Sequence, residues 1–336
     1  MQQRVCIIDP SSHMPGLKYL LPDAEYYAHE PDSFFTYVST HHYTKEKLLQ
    51  EYGFEYRTDW QTITSANYDV ICLVMPFLDY YNVIETQYTP FFNRMLERIQ
   101  GILKNSTFQK VALFDIYDYD YDPSTINKGL PIDIYFKRNY SKKIKYHPSV
   151  RPFPCSMFVK PCVMTTMLFN SLHSRHPRKL SAMWAGSLYK HVDTNFQPPI
   201  VRDRQGIYNK IKHRLVTYSG LSQQAYLQKI REHAIVVDLL GVGEPNKRTF
   251  EGFANGTLVM TMIKDLEWGF ENGDAFHPDT IFETAEEFEQ KLNKFLMNEE
   301  HYQHCLDIQN RLVEKYFGLN WMRSFLITNL GLNQDS

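Results

Sequence analysis

Ala234-Ile235-Val236-Val237-Asp238-Leu239-Leu240 runs directly into Gly241-Val242-Gly243-Glu244-Pro245-Asn246-Lys247-Arg248-Thr249-Phe250-Glu251-Gly252-Phe253-Ala254-Asn255-Gly256-Thr257-Leu258-Val259-Met260. The first run is apolar and rich in β-branched residues, which predicts a buried strand. Gly241 and Gly243 break it, Asn246 is an N-cap candidate, and a helix follows until Asn255-Gly256 stops it. Thr257-Leu258-Val259-Met260 begins the next strand. A strand, Gly loop, helix, strand unit sets the helix N-terminus at the carboxyl edge of a parallel sheet.

The predicted helix breaks a local rule. Phe250, Phe253 and Ala254 fall on one stripe and face the core. Lys247 and Arg248 occupy the first turn, where the helix dipole is already positive. Lys247 also precedes Glu251 at i, i+4, the weaker order for that pair. An anion bound at the helix N-terminus would compensate, held by free N–H groups and two positive side chains. Glu251, one turn deeper, is placed to accept hydrogen bonds from hydroxyls attached to such an anion. Phosphate beside a diol describes a nucleotide. The competing reading is a solvated charged helix face with a weak salt bridge.

The run from Val216 to Met260 resembles the donor-binding half of GT-B-fold glycosyltransferases of the group 1 type. The resemblance is carried by Val216-Thr217-Tyr218-Ser219-Gly220, the helix Gln224-Ala225-Tyr226-Leu227-Gln228-Lys229-Ile230, the strand and Gly loop, and Arg248 to Thr257. It is strongest over residues 216–330 and looser before them. It implies an α/β chain of two Rossmann-like domains facing a cleft. It implies transfer of a sugar from a nucleotide-diphosphate sugar, UDP- or GDP-linked, to a hydroxyl acceptor such as a glycan. In that family the Glu matching Glu251 binds the donor ribose, and the preceding residues, here Gly243, Asn246, Lys247, Arg248 and Thr249, meet the diphosphate. Retaining members carry Glu, seven residues, then Glu. Counting back eight positions from Glu251 lands on Gly243, with Glu244 one position off. Glu244 is therefore a candidate catalytic carboxylate, and the stereochemistry is not carried over.

The length, 336 residues, suits two domains, and 43% hydrophobic with 22% charged residues gives each a core. Aromatics reach 15%, including 23 Tyr, which suits clefts for planar or sugar rings. A net charge of −2 supplies no global field for nucleic acid or anionic lipid. Cys6, Cys72, Cys155, Cys162 and Cys305 are an odd set without framework spacing, so reduced thiols in a cytoplasmic protein are expected. No apolar run reaches the length of a membrane span.

In the first half, strands are predicted at Arg4–Asp9, Asp69–Pro76, Lys110–Asp115 and Ile132–Phe136. Helices are predicted at Lys45–Tyr52 and Thr89–Asn105, with a loop from Pro10 to Gly16. Alternating strands and helices predict a mostly parallel sheet. His13 lies in the loop after the first strand. Inverting GT-B enzymes with hydroxyl acceptors often use a His in this loop as general base, and the chemistry suits an imidazole of near-neutral pKa. Asp115 and Asp118 follow the third strand and are candidates for acceptor binding or catalysis. The spacing Asp118-x-Asp120 also allows a Mn²⁺ or Mg²⁺ site of the GT-A kind. The preferred scheme needs no metal, and its only co-substrate is the nucleotide sugar. Lys137 and Arg138 match a Phe-Lys-Arg run of group 1 relatives and are candidates for phosphate contact, against a basic surface turn.

His147 to Pro154 holds three prolines in eight residues and reads as an extended linker. This divides the chain into an acceptor-side domain, 1–150, and a donor-binding domain, 151–320. A last helix, 321–336, is expected to pack back toward the first domain. Leu180 to Ser187 is the first strand of the second half. Gly186 and Ser187 end it where relatives have a Gly loop that admits donor phosphates. Tyr218 is a candidate to stack on the nucleotide base. Thr284 and Glu287 form a capping box at the start of a later helix. A nucleotide-sugar epimerase of the same fold and a non-catalytic nucleotide- or glycan-binding protein are the rival readings.

Overall fold

A computed structural model describes residues 3–10, 14–28, 45–74, 89–115, 121–126, 129–153, 167–170, 178–186, 204–239, 245 and 247–333. The chain divides into two compact units, Met1–Met157 with Met322–Ser336, and Phe158–Trp321.

The first unit is built on six parallel strands: β1 Val5–Ile8, β2 Glu25–Tyr27, β3 Asn67–Val74, β4 Thr107–Asp115, β5 Ile134–Lys137 and β6 Val150–Pro152. Their order is β2-β1-β3-β4-β5-β6. Parallel pairing needs crossovers, and helices α1 Pro15–Leu20, α2 Lys45–Tyr52, α3 Gln61–Ser65 and α4 Thr89–Asn105 lie in the connections. The 3.6-residue stripe of α4 places Met95, Ile99, Ile102 and Leu103 in a core with Ile71, Leu73, Val111 and Leu113. Cys6 and Cys72 are buried, unbridged thiols in β1 and β3.

Three short elements depart from the sequence expectation. α1 starts inside the stretch expected to be loop, because Pro15 at its first turn presets φ and needs no donor. β2 is three residues at a sheet edge and has no room for an alternating pattern. The expected linker contains β6, which pairs with Tyr135, Phe136 and Lys137 of β5. As an edge strand it tolerates Pro152, since only one of its sides must be hydrogen-bonded.

The second unit has four parallel strands, β7 Lys179–Ala185, β8 Leu215–Tyr218, β9 His233–Asp238 and β10 Leu258–Thr261, in the order β10-β9-β7-β8. The chain moves from β7 to β8 on one side, then returns to lay β9 on the other. The topological switch point is therefore between β7 and β9, and ligands of open parallel sheets bind at the carboxyl ends of such a pair. The helices are α5 Arg204–Ile211, α6 Gln223–Glu232, α7 Lys247–Ala254, α8 Ala285–Met297 and α9 Glu299–Tyr316. α10, Leu319–Leu330, follows.

α7 is held from both sides. Phe250, Phe253 and Ala254 are buried as expected, among Phe317, Trp268 and Met260. Its end is a Schellman motif: Thr257 N–H donates to Gly252 O (3.1 Å) and Gly256 N–H to Phe253 O (3.0 Å), with Gly256 at φ 58°. Arg178 donates to Asn255 O at 2.6 Å, a cation at the negative end of the helix. On the edge strand β10, Gln309 of α9 accepts from Val259 N–H (2.8 Å) and donates to Thr257 O (2.9 Å), which covers exposed ladder groups. Among the described residues no helix is long and apolar enough to cross a membrane.

Candidate functional site

The switch point of the second sheet gathers the carboxyl ends of β7 and β9 and the first turn of α7. Asp238 ends β9 with its carboxylate buried. Thr249 Oγ1 donates to its Oδ2, and Arg248 Nη1 meets its Oδ1 at 3.2 Å. The Arg248 guanidinium lies 5.6 Å from the centre of the Trp184 ring. It also crosses the backbone of Gly186, where an added Cβ would collide with Arg248 Nη2. Glycine at 186 thus permits a close approach of side chain to backbone. A carboxylate, an indole face and a bare backbone fix one guanidinium at the strand ends.

One turn deeper, Glu251 is buried. Its Oε1 accepts from Gln223 Nε2 of α6 at 2.6 Å and lies 3.5 Å from Lys247 Nζ. Lys247 Nζ also donates to Gln223 Oε1 at 3.2 Å, and its side chain is 43% exposed. Burial raises the Glu251 pKa, opposed by the Lys247 charge, the Gln223 hydrogen bond and Arg248. Burial, reinforced by the Glu251 charge, raises the Tyr226 phenol beside this group. The two first-turn cations therefore have carboxylates within the protein, Asp238 for Arg248 and Glu251 for Lys247. The reading that a bound anion supplies the compensation is corrected to that extent, and the salt bridge of the competing reading is present between Lys247 and Glu251. What stays open is a cationic rim: Lys247 reaches solvent, and Arg248 is 14% exposed.

Thus Gly186, Lys247, Arg248, Thr249 and Glu251 are brought to one edge of one sheet. Tyr218 points elsewhere. Its hydroxyl is 2.9 Å from His233 Nε2, and His233 begins β9, at the amino-terminal end of the strand. His233 Nδ1 is 2.8 Å from Ser181 Oγ, and burial together with the Lys179 charge lowers its pKa. Ser187, Gly243, Glu244 and Asn246 lie outside the described residues, as do His13, Asp118 and Asp120.

In the first unit, Asp115 ends β4 and Lys137 ends β5. Lys137 Nζ donates to Asp115 Oδ2 at 2.9 Å, and both side chains are fully enclosed. The Lys137 ammonium also sits 4.1 Å from the centre of the Tyr121 ring. A basic surface turn is thereby excluded for Lys137, since an enclosed carboxylate needs an enclosed countercharge. Arg138 is buried next to it, its N–H on Asp115 O.

Sequence reasoning missed Asp238, Gln223 and Trp184. Asp238 had a signal: a carboxylate among Val and Leu residues at a strand end, directly before a Gly loop. Gln223 and Trp184 are brought in by tertiary packing from α6 and β7 and carried none.

Residues 202–319 match the family model described as glycosyl transferase-like. No curated protein sequence matches the chain significantly. Among solved structures, it is similar to an alpha-glucosyltransferase in complex with UDP and a 13-mer DNA containing an HMU base, at 9% identity and TM-score 0.53, over 98% of this chain and 100% of that one. It is similar to the α,α-trehalose 6-phosphate synthase of Burkholderia multivorans, at 9% identity and TM-score 0.53, over 98% and 97%. A mutant of T4 phage BGT in complex with UDP-glucose aligns at 9% identity and TM-score 0.50, over 98% and 100%. At such identities the likeness is one of fold. The fold, with two parallel sheets of six and four strands, is that of GT-B glycosyltransferases.

Proposed function

We propose that the protein is a glycosyltransferase that takes a sugar from a nucleotide-diphosphate sugar, with UDP the favoured nucleotide, and passes it to a hydroxyl acceptor, a glycan in the reading preferred here. The observation that carries the proposal is Arg248, aimed across Gly186 at the switch point of the donor-side sheet, beside the first turn of α7 and Lys247. The glycosyl-transferase-like match over 202–319 encloses this group and supports the reading. UDP and UDP-glucose in the complexes of two fold relatives favour UDP over GDP.

The mechanism follows from charge. Transfer of the sugar leaves a nucleoside diphosphate with one more negative charge. Arg248 and the α7 N–H groups are fixed donors for that charge before it develops, so little reorganisation is needed there. Asp238 and Trp184 orient the guanidinium, so its fork arrives in one geometry. Glu251, when ionised, accepts two ribose hydroxyls and sets the nucleotide along the strand ends. Lys247 then exchanges Gln223 for a phosphate oxygen. His13 would take the acceptor proton in an inverting reaction, while Glu244 is the carboxylate to examine in a retaining one. The scheme assigns the diphosphate to side chains and requires no metal.

The deciding experiment incubates the protein with UDP- and GDP-sugars and measures nucleoside diphosphate release and sugar transfer to an acceptor panel. Release and transfer from a UDP-sugar are expected. Arg248→Ala should weaken UDP binding by about 10- to 100-fold, the worth of a charge-assisted hydrogen bond of ~1.5–3 kcal/mol. Unchanged UDP affinity in a folded Arg248→Ala protein would remove the diphosphate role. UDP binding without turnover on any acceptor would favour a binding module.

A further inference from the structure

A second cluster of chemistry-bearing side chains lies in the second unit, on elements the nucleotide site does not use. His277 caps the 3₁₀ turn Pro278–Thr280, its ring accepting Asp279 N–H at 3.1 Å. That turn is anchored beside β10, where Ile281 bridges Thr261 and Phe282 N–H donates to Thr261 O at 3.0 Å. Facing it is the first turn of α9, capped by Asn298, whose Oδ1 accepts His301 N–H at 2.9 Å. His301 and Cys305 are four residues apart, so they share one face of α9.

We propose that His277, His301 and Cys305, with the Asp279 carboxylate beside them, bind a divalent transition-metal ion of the zinc class. One ligand atom from each of the first three lies within 4.8 Å of the others. Cys305 Sγ is 3.7 Å from His301 Nε2, and Asp279 Oδ2 lies 2.8 Å from His301 Nε2 and 4.0 Å from His277 Nδ1. Zinc bonds of about 2.0–2.3 Å at a tetrahedral centre put neighbouring donors about 3.3–3.6 Å apart. His277, His301 and Cys305 therefore need a contraction of up to about 1.5 Å, which rotation of the His277 and Cys305 side chains supplies. Two imidazoles and a thiol select a borderline-soft ion over Ca²⁺ or Mg²⁺, which take oxygen ligands.

The surroundings favour a structural site. Cys305 is fully buried, while His277 and His301 side chains are 22% and 14% exposed, so an ion has a way in and a closed floor. The His301 ring stacks on Phe295 at 5.4 Å, which limits its rotation. Lys294 is the opposing charge, 2.5 Å from Asp279 Oδ2, with a side chain 52% exposed that a bound ion would displace into water. Binding forms a metal–sulfur bond as the thiol proton leaves to solvent, and the His301–Asp279 hydrogen bond gives way to metal contacts. With the Asp279 carboxylate turned in as the fourth donor, no position stays open for a substrate. The ion would pin the 277–282 turn to α9 and take no part in sugar transfer.

The test uses the full chain after chelator treatment, titrated with Co²⁺ and then Zn²⁺. One Co²⁺ per chain is expected, with a sulfur-to-cobalt charge-transfer band that Zn²⁺ abolishes. Cys305→Ser should lose the band and bind Co²⁺ more than about 100-fold more weakly, above the range of outer-shell changes. His277→Gln, at a more exposed position, should show a comparable loss of affinity and serves if Cys305→Ser does not fold. His304→Ala, whose ring neighbours His277 at 5.8 Å, should retain both band and affinity. Zn²⁺ should raise the melting temperature of the wild type and leave that of Cys305→Ser unchanged. Absence of the sulfur band, or wild-type affinity in His277→Gln, would overturn the proposal.

Discussion

Arg248 has two claims on a single charge. Asp238 holds Nη1 of its guanidinium, and the proposed diphosphate site uses the arm that lies over Gly186. Gly186 separates these roles experimentally. A methyl group there meets Arg248 Nη2 and, at 3.0 Å, the buried Trp184 ring, so Gly186→Ala should displace the guanidinium at an overpacking cost of about 1–3 kcal/mol in stability. UDP affinity should nonetheless fall about tenfold, read by calorimetry beside a denaturant titration. Glu251 gives a pH prediction. Burial raises its folded pKa, so between the ordinary glutamate range and that raised value the folded protein holds more protons than the unfolded chain. Stability then falls as pH rises through the window, and Glu251→Gln should flatten that slope in melting curves. UDP affinity should move the opposite way, rising with pH as the carboxylate ionises to accept ribose hydroxyls. Lys247, Arg248 and Glu251 were legible because they break helix rules. Their partners Asp238 and Gln223 belong to β9 and α6, and only folding brings these to the first turn.

At the scale of an element, α7 is defined by what it cannot accommodate. Gly252 faces β10, and a Cβ there would stand 2.5 Å from Val259 Cγ2. Gly252→Ala must move the helix off the strand, an overpacking cost of about 1–3 kcal/mol. A lower urea midpoint at unchanged slope would report it. This unit was readable in advance because its signals are local: a β-branched run, glycines, an aromatic stripe and a terminal Asn-Gly. α4 was readable from Thr89 to Asn105 for the same reason, since 17 residues repeat one period. β2, α1 and β6 were not. Each is short, and each owes its conformation to a neighbour, β2 and β6 to the strand they pair with and α1 to a proline that fits only a first turn.

Across the whole molecule, the two sheets carry charge differently at their carboxyl edges. In the second unit the cations border solvent. In the first, Lys137 and Asp115 are sealed together, and removing either leaves a buried charge unmatched. Lys137→Ala should therefore cost about 3–5 kcal/mol, seen as a lowered melting temperature. The first unit is also discontinuous along the chain: Phe325 of α10 stacks on Phe153 at 5.8 Å, and Lys110 Nζ donates to Leu330 O at 2.8 Å. That arrangement bears on biosynthesis. A ribosome must translate the whole of 158–321 before α10 exists to seal the amino-terminal core. The later-made unit can thus close before the earlier-made one receives its last helix.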